Sequence, residues 1–124
     1  MGCDIHGWIE KNVNGKFIAV DRLTADDRDY RRFALLAGVR DYNKESLAHP
    51  LGVPDNVSES AGYDIETWSS DGHSHSYISI KDAAKIFSET SCREVNFPEY
   101  TFFNVDPDDE NEIDKYRLVF WFDN

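Results

Sequence analysis

The chain has 124 residues, with 13 Lys and Arg against 24 Asp and Glu, for a formal net charge of −11. Its length predicts a single domain over 1–124, and 40% hydrophobic with 14% aromatic residues excludes a disordered tail. The acidity excludes direct binding to a nucleic-acid backbone, which relies on clustered Lys and Arg, and favours a basic partner instead.

Residues 3–10, CDIHGWIE, set Cys3, Ile5, Gly7 and Ile9 against Asp4, His6, Trp8 and Glu10. This period of two predicts a strand with one apolar face. VNG at 13–15 reads as a turn and KFIAVD at 16–21 as the returning strand. Residues 26–37 predict a helix started by Asp26 or Asp27, with Tyr30, Phe33 and Leu36 or Ala37 as its stripe and Gly38 as its end. Residues 41–76 are polar and punctuated by Pro50, Gly52, Pro54, Gly62 and Gly72. A structureless loop of this length is unusual in a compact domain, so it is either functional or held by something beyond ordinary packing.

Ser79 caps a predicted helix over 80–89, with Ile80, Ala83, Ala84 and Phe87 inward. YTFFNV at 100–105 predicts a strand, and 106–114 an acidic turn. YRLVFWF at 116–122 is almost continuously apolar, which predicts a strand covered on both faces. The expected fold is α+β: an antiparallel sheet of about four strands with two helices packed on it and a long middle loop pinned by a metal.

No run approaches the roughly 18 apolar residues needed to span a membrane, so no membrane association is expected. MGCDIHGW has no basic region followed by an apolar run, which argues against a secretory signal, and His6 stands where a myristoylation start needs Ser or Thr. Two distant cysteines, Cys3 and Cys92, make no disulfide framework, and a reduced, cytoplasmic setting is expected.

The candidate metal residues are Asp71, His73 and His75 in SDGHSHS, and Asp4 and His6 in the first strand. If each segment is extended, its alternate side chains point the same way. Imidazole and carboxylate are good zinc ligands, so the two motifs together predict one site that pins the middle loop to the sheet. Three of the 4 histidines fall in these motifs, whereas His49 reads as an ordinary loop residue. The plainer reading of SDGHSHS is a polar loop rich in histidine. No HExxH and no zinc-deaminase signature is present, so a closed structural site, one Zn2+ per chain, is expected rather than a catalytic one. Cys3 points to the opposite face and is the weaker ligand candidate.

A second constellation is the acidic turn, with Asp106, Asp108, Asp109, Glu110, Glu112 and Asp114. It fails the EF-hand pattern at Asn111 and Arg117, and reads as a solvated hairpin tip or as a patch that docks on a basic groove. Trp68, beside the metal motif, is the interface candidate among the tryptophans, and Trp121 is the core one. Arg28, Arg31, Arg32 and Arg40 form a basic cluster, expected to pair with Asp26, Asp27, Asp29 and Asp41.

MGCDIHGWIEKNVNGKF, RDYRRFALLAGVR, LGVPDNVSE and SSDGHSHSYISIKD together resemble a group of small phage and prophage proteins that open MGCDIH, over roughly two-thirds of the chain. In size, charge and candidate zinc site the chain is also similar to a zinc-binding anti-CRISPR protein of type II-A systems. That resemblance implies a non-enzymatic inhibitor that binds the RNA-guided effector nuclease of the host and blocks target-DNA loading. Asp4, His6, His73 and His75 would then be structural ligands. Two other functions stay open: a metal-dependent hydrolase of a small phosphorylated or nucleotide-derived substrate, and a protein that sequesters a nucleotide signal through its arginines and tryptophans.

Overall fold

The computed structural model describes residues 2–23, 28–42, 44, 46–90 and 110–123. The fold is α+β, built on a four-stranded antiparallel sheet. The elements are β1 (Asp4–Val13), β2 (Lys16–Arg22), α1 (Tyr30–Ala37), α2 (Glu59–Trp68), β3 (Gly72–Ser79), α3 (Ile80–Thr90), the short α4 (Glu110–Ile113) and β4 (Tyr116–Asp123). The strand order is β2-β1-β4-β3. No described helix is long and apolar enough to cross a membrane.

The hairpin forms where the alternation of CDIHGWIE predicts it, with Asn14 and Gly15 at positive φ in the turn. The odd positions of β1 face the main core. There Cys3, Ile5 and Ile9 join Leu118, Phe120 and Phe122 of β4, with Phe33 and Leu36 of α1 and Ile80, Ala83, Ala84 and Phe87 of α3 above them. Phe33 meets Phe122 edge-on at 5.0 Å between ring centroids, a favoured aromatic geometry. Gly7 is needed beneath this layer, because a Cβ there would lie 2.7 Å from the Val119 carbonyl oxygen of the neighbouring strand.

The helices flanking the core follow the apolar stripes, with small differences at their ends. α1 begins at Tyr30, capped by Asp29, whose side chain accepts from the Arg32 backbone N–H; Asp26 and Asp27 lie outside the described residues. Gly38 ends it in the left-handed region at φ 69°. Ser79 caps α3 as expected, its hydroxyl accepting from Asp82 N at 3.2 Å. Arg32 is buried rather than solvent-facing, donating from Nε to Thr90 Oγ1 at 2.9 Å and so tying α1 to the end of α3.

Residues 41–76 differ from the expected structureless loop. They contain all of α2 and the start of β3. Ser58 starts α2, its hydroxyl accepting from Ala61 N at 3.3 Å. Ala61, Ile65 and Trp68 turn inward at helical spacing while Glu59, Tyr63 and Glu66 face out. β3, rather than the 100–105 segment, supplies the fourth strand of the described sheet; residues 100–105 lie outside the described residues.

α2 and its flanks cover the other side of the sheet, held by contacts that include three from β1. Glu10, fully buried, accepts from Arg117 Nε at 2.6 Å and from the Ser58 backbone N–H at 2.7 Å. Trp8 Nε1 donates to Asp64 Oδ2 at 2.9 Å. His6 stacks on Trp68 at 4.4 Å between ring centroids. Ser58, Asp64 and Trp68 of the middle segment thus meet β1 through a buried carboxylate, an indole–carboxylate bond and a ring stack. The continuous apolar strand is β4, central in the sheet and buried on both faces, as expected.

Candidate functional site

The even residues of β1, the expected polar face, meet α2 and the end of β4. Asp4, His6 and Trp8 do lie on one face, but each is already engaged. Asp4 receives a forked pair of hydrogen bonds from Arg28, Nε at 2.7 Å and Nη2 at 3.2 Å. The bond from the Arg28 guanidinium holds the Asp4 carboxyl below its usual range. Arg28 therefore pairs with Asp4 of the first strand, while Asp26 and Asp27 lie outside the described residues. His6 Nε2–H donates to Asp123 Oδ1 at 2.8 Å. Asp123 had no local signal in the sequence; it reaches His6 because Asp4 pairs with Asp123 and His6 with Trp121 across β1 and β4.

The second motif is divided by a bulge. His73 pairs with Phe122 and Ser76 with Phe120, so three steps on β3 oppose two on β4. Ser74 takes the left-handed conformation at φ 56°, which absorbs the extra residue. His73 consequently shares the core side with Phe122, ring centroids 6.3 Å apart, while His75 shares the α2 side with Trp121 at 6.4 Å. The expectation that Asp71, His73 and His75 point one way assumed unbroken alternation. Asp71 sits before the strand, exposed in a 3-10 turn over Ser69–Asp71.

Among the described residues no three His, Cys, Asp or Glu side chains gather in a way that could hold an ion. Asp4 is taken by Arg28, His6 by Asp123, and the two histidines of SDGHSHS lie on opposite faces. As placed, these donors are not gathered into a four-ligand set among the described residues. Cys3 is fully buried in the core, and burial raises its thiol pKa, so it is protonated and inert at neutral pH.

The acidic turn is only partly described. Asp106, Asp108 and Asp109 and the Glu110 side chain lie outside the described residues. Glu112 follows within the short helix α4 and pairs with Lys11 at 2.8 Å and Lys115 at 3.0 Å; Asp114 is exposed. Trp68 is half-buried rather than freely exposed, because its ring rests on His6.

What the fold does assemble is a small polar and aromatic patch between α2 and the sheet. It consists of the stacked His6 and Trp68, the His6–Asp123 pair, and Arg22 lying over the Trp8 ring at 4.6 Å. Arg22 was not singled out by sequence. Arg22 ends β2 opposite Trp8, and Asp64 sits one turn before Trp68, so only the docking of α2 joins them.

Two buried nitrogens in this patch, Trp121 Nε1 and His75 Nε2, find no hydrogen-bond partner among the described residues. Burial, aided by the neighbouring His73, lowers the His75 pKa from 6.5. A group with a depressed imidazolium pKa stabilises the fold fully above its unfolded value near 6.5. That contribution is lost as the pH falls through 6.5 toward the folded value, since the unfolded chain then binds the extra proton. Urea midpoints of the parent and of His75→Gln should therefore converge between pH 7.5 and pH 5. Curves that stay parallel over this range would show that His75 is not the group concerned.

No protein-family model matches the chain, and neither a curated protein nor a solved structure matches it.

Proposed function

We propose that the chain is a non-enzymatic binding protein that presses an acidic face onto a basic, nucleic-acid-binding partner. The observation that carries this reading is the lack of any Lys or Arg from Glu45 to Ile80. Within this stretch, α2 covers the second face of the sheet. Glu59 and Glu66 point outward along α2, and Asp55 and Asp71 are exposed at its flanks. Tyr63 between the two glutamates is 73% exposed, with Leu47 and Leu51 also exposed on the same segment. Aromatic and aliphatic anchors inside a charged rim are the usual composition of a protein interface.

The effector nuclease of a type II CRISPR system is the first partner to test. Its heteroduplex channel is positively charged, so an acidic protein seated there would compete with target DNA. This is the function implied by the resemblance in size, charge and candidate zinc site. Phosphorylated substrates or signals suit the α2 patch less well, because Asp4, Asp64 and Asp123 repel phosphate there.

The test is affinity for the nuclease, measured by calorimetry at about 0.1 and 0.5 M salt. Binding should weaken with salt, and Glu59→Lys/Glu66→Lys should weaken it at least about tenfold by meeting like charge. Salt-independent binding, or no binding to any type II effector, would sink the reading.

A further inference from the structure

The seam between α2 and the β1–β2 hairpin forms a groove of two adjoining hollows, about 380 and 390 Å³. Arg22 and Asp64 line both, so their contact stands at the waist. On one side the walls are Trp8 and Tyr63, with Glu59 at the rim. On the other they are His6 and Trp68. The groove thus combines carboxylates with three large aromatic faces.

Arg22 shows which chemistry the waist accepts. Its guanidinium lies over the Trp8 ring, 4.6 Å from the centroid. Its nearest approach to Asp64 Oδ2 is 3.7 Å, beyond hydrogen-bond distance, and its side chain is 64% exposed. Asp64 in turn is fixed in place by the Trp8 indole N–H. The cation is therefore loosely held in a rigid acidic and aromatic frame.

We infer that this groove receives an arginine side chain of the basic partner, and that Arg22 stands in for it in the free protein. The inference rests on the docking reading above and adds the side chain that is recognised. A planar guanidinium can stack on an indole and offer paired N–H groups to a carboxylate at once. A lysine ammonium is more strongly hydrated and cannot do both in a fixed geometry, and an anionic ligand would meet Asp64 and Glu59.

The experiment compares oligo-arginine with oligo-lysine peptides of equal length, by calorimetry and by tryptophan fluorescence of the full chain. The arginine peptide should bind about tenfold tighter, as expected for a cation–π contact with a shaped carboxylate. Asp64→Asn keeps an acceptor for Trp8, so the fold should persist, which its melting curve verifies. It should weaken the arginine peptide about tenfold and remove the preference over lysine. Arg22→Ala should tighten the arginine peptide several-fold by clearing the Trp8 face.

Equal affinities for the two peptides would overturn the inference, as would an Asp64→Asn effect no larger than that of the outward Glu66→Gln. If the peptides are not discriminated while the nuclease still binds in a salt-dependent way, the groove inference fails and the docking reading survives. An arginine preference in a protein that binds no nuclease supports the groove and removes the docking reading.

Discussion

Glu10→Ala is expected to lower the unfolding free energy by about 3–5 kcal/mol, the usual result of removing one partner from a buried ion pair. Glu10 is 0% exposed and uses both carboxylate oxygens, one for Arg117 Nε and one for the Ser58 backbone N–H. Without it the Arg117 guanidinium stays buried with no counter-charge in contact. Among the described residues it would keep the neutral Asn56, which accepts at 2.9 Å through Oδ1 and at 3.2 Å through its backbone oxygen, and the Phe17 and Tyr77 rings at 3.5 and 5.8 Å. The Ser58 N–H at the start of α2 would also lose its acceptor.

Arg117→Ala should cost a similar amount, because it strands the carboxylate. Glu10→Met/Arg117→Met should recover much of the loss, since two apolar side chains need no pairing in that space. Urea unfolding followed by circular dichroism checks all three, with a fall in melting temperature on the order of 10 °C expected for each single variant. A cost below about 1 kcal/mol for Glu10→Ala would mean that the pair is solvated and that α2 is held by its aromatic contacts alone.

Trp121→Ala should cost about 3–5 kcal/mol, whereas Trp121→Phe should cost about 1 kcal/mol or less. Trp121 is fully buried, but it lies outside the main cluster, on the α2 side of β4. It pairs with His6 across the strands, and its Cδ1 lies 3.3 Å from where a Cβ on Gly72 would stand. Alanine would open a cavity under Trp68 and His6 that the pinned helix cannot collapse into. Phenylalanine keeps most of the ring and removes the indole N–H that has no partner among the described residues, a group that costs about 1–3 kcal/mol when left unsatisfied. Denaturant midpoints of the two variants separate the terms. Equal losses for Ala and Phe would show that the N–H is in fact well satisfied.

The elements that could be read from the chain are those whose signal is local. The alternation of Cys3, Ile5, Gly7 and Ile9, the Phe33 and Phe87 stripes, and the continuous 118–122 run each match their burial in the structure. α2 was hidden for a physical reason. It buries only a narrow edge, mainly Ala61, Ile65 and Trp68, around the helix-weakening Gly62, so its apolar period is faint. Its place is set by Glu10, Arg117 and Trp8, residues far away in sequence. Glu10 itself reads as an outward-facing polar residue of an amphipathic strand, and nothing nearby marks it as buried.

The site was legible to the same extent. Asp4 and His6 do share a face, and Trp68 does lie at the surface next to them. The alternation expected across SDGHSHS breaks at one residue, because a bulge at Ser74 sends His73 and His75 to opposite sides of the sheet.

By itself, the sequence determined the α+β class, the first hairpin, the two helices of the main core, the doubly covered final strand and the acidic balance of the surface. Each of these follows from residue type at a fixed spacing, which acts over a few positions. Only the tertiary structure decided that a polar stretch becomes a helix over the second face of the sheet, and that Asp123 reaches His6. It also decided that Trp8, Arg22 and Asp64 meet in one groove. Those outcomes depend on register between distant strands and on a buried charge pair, and a side chain carries no mark of its distant partner until the chain has closed around it.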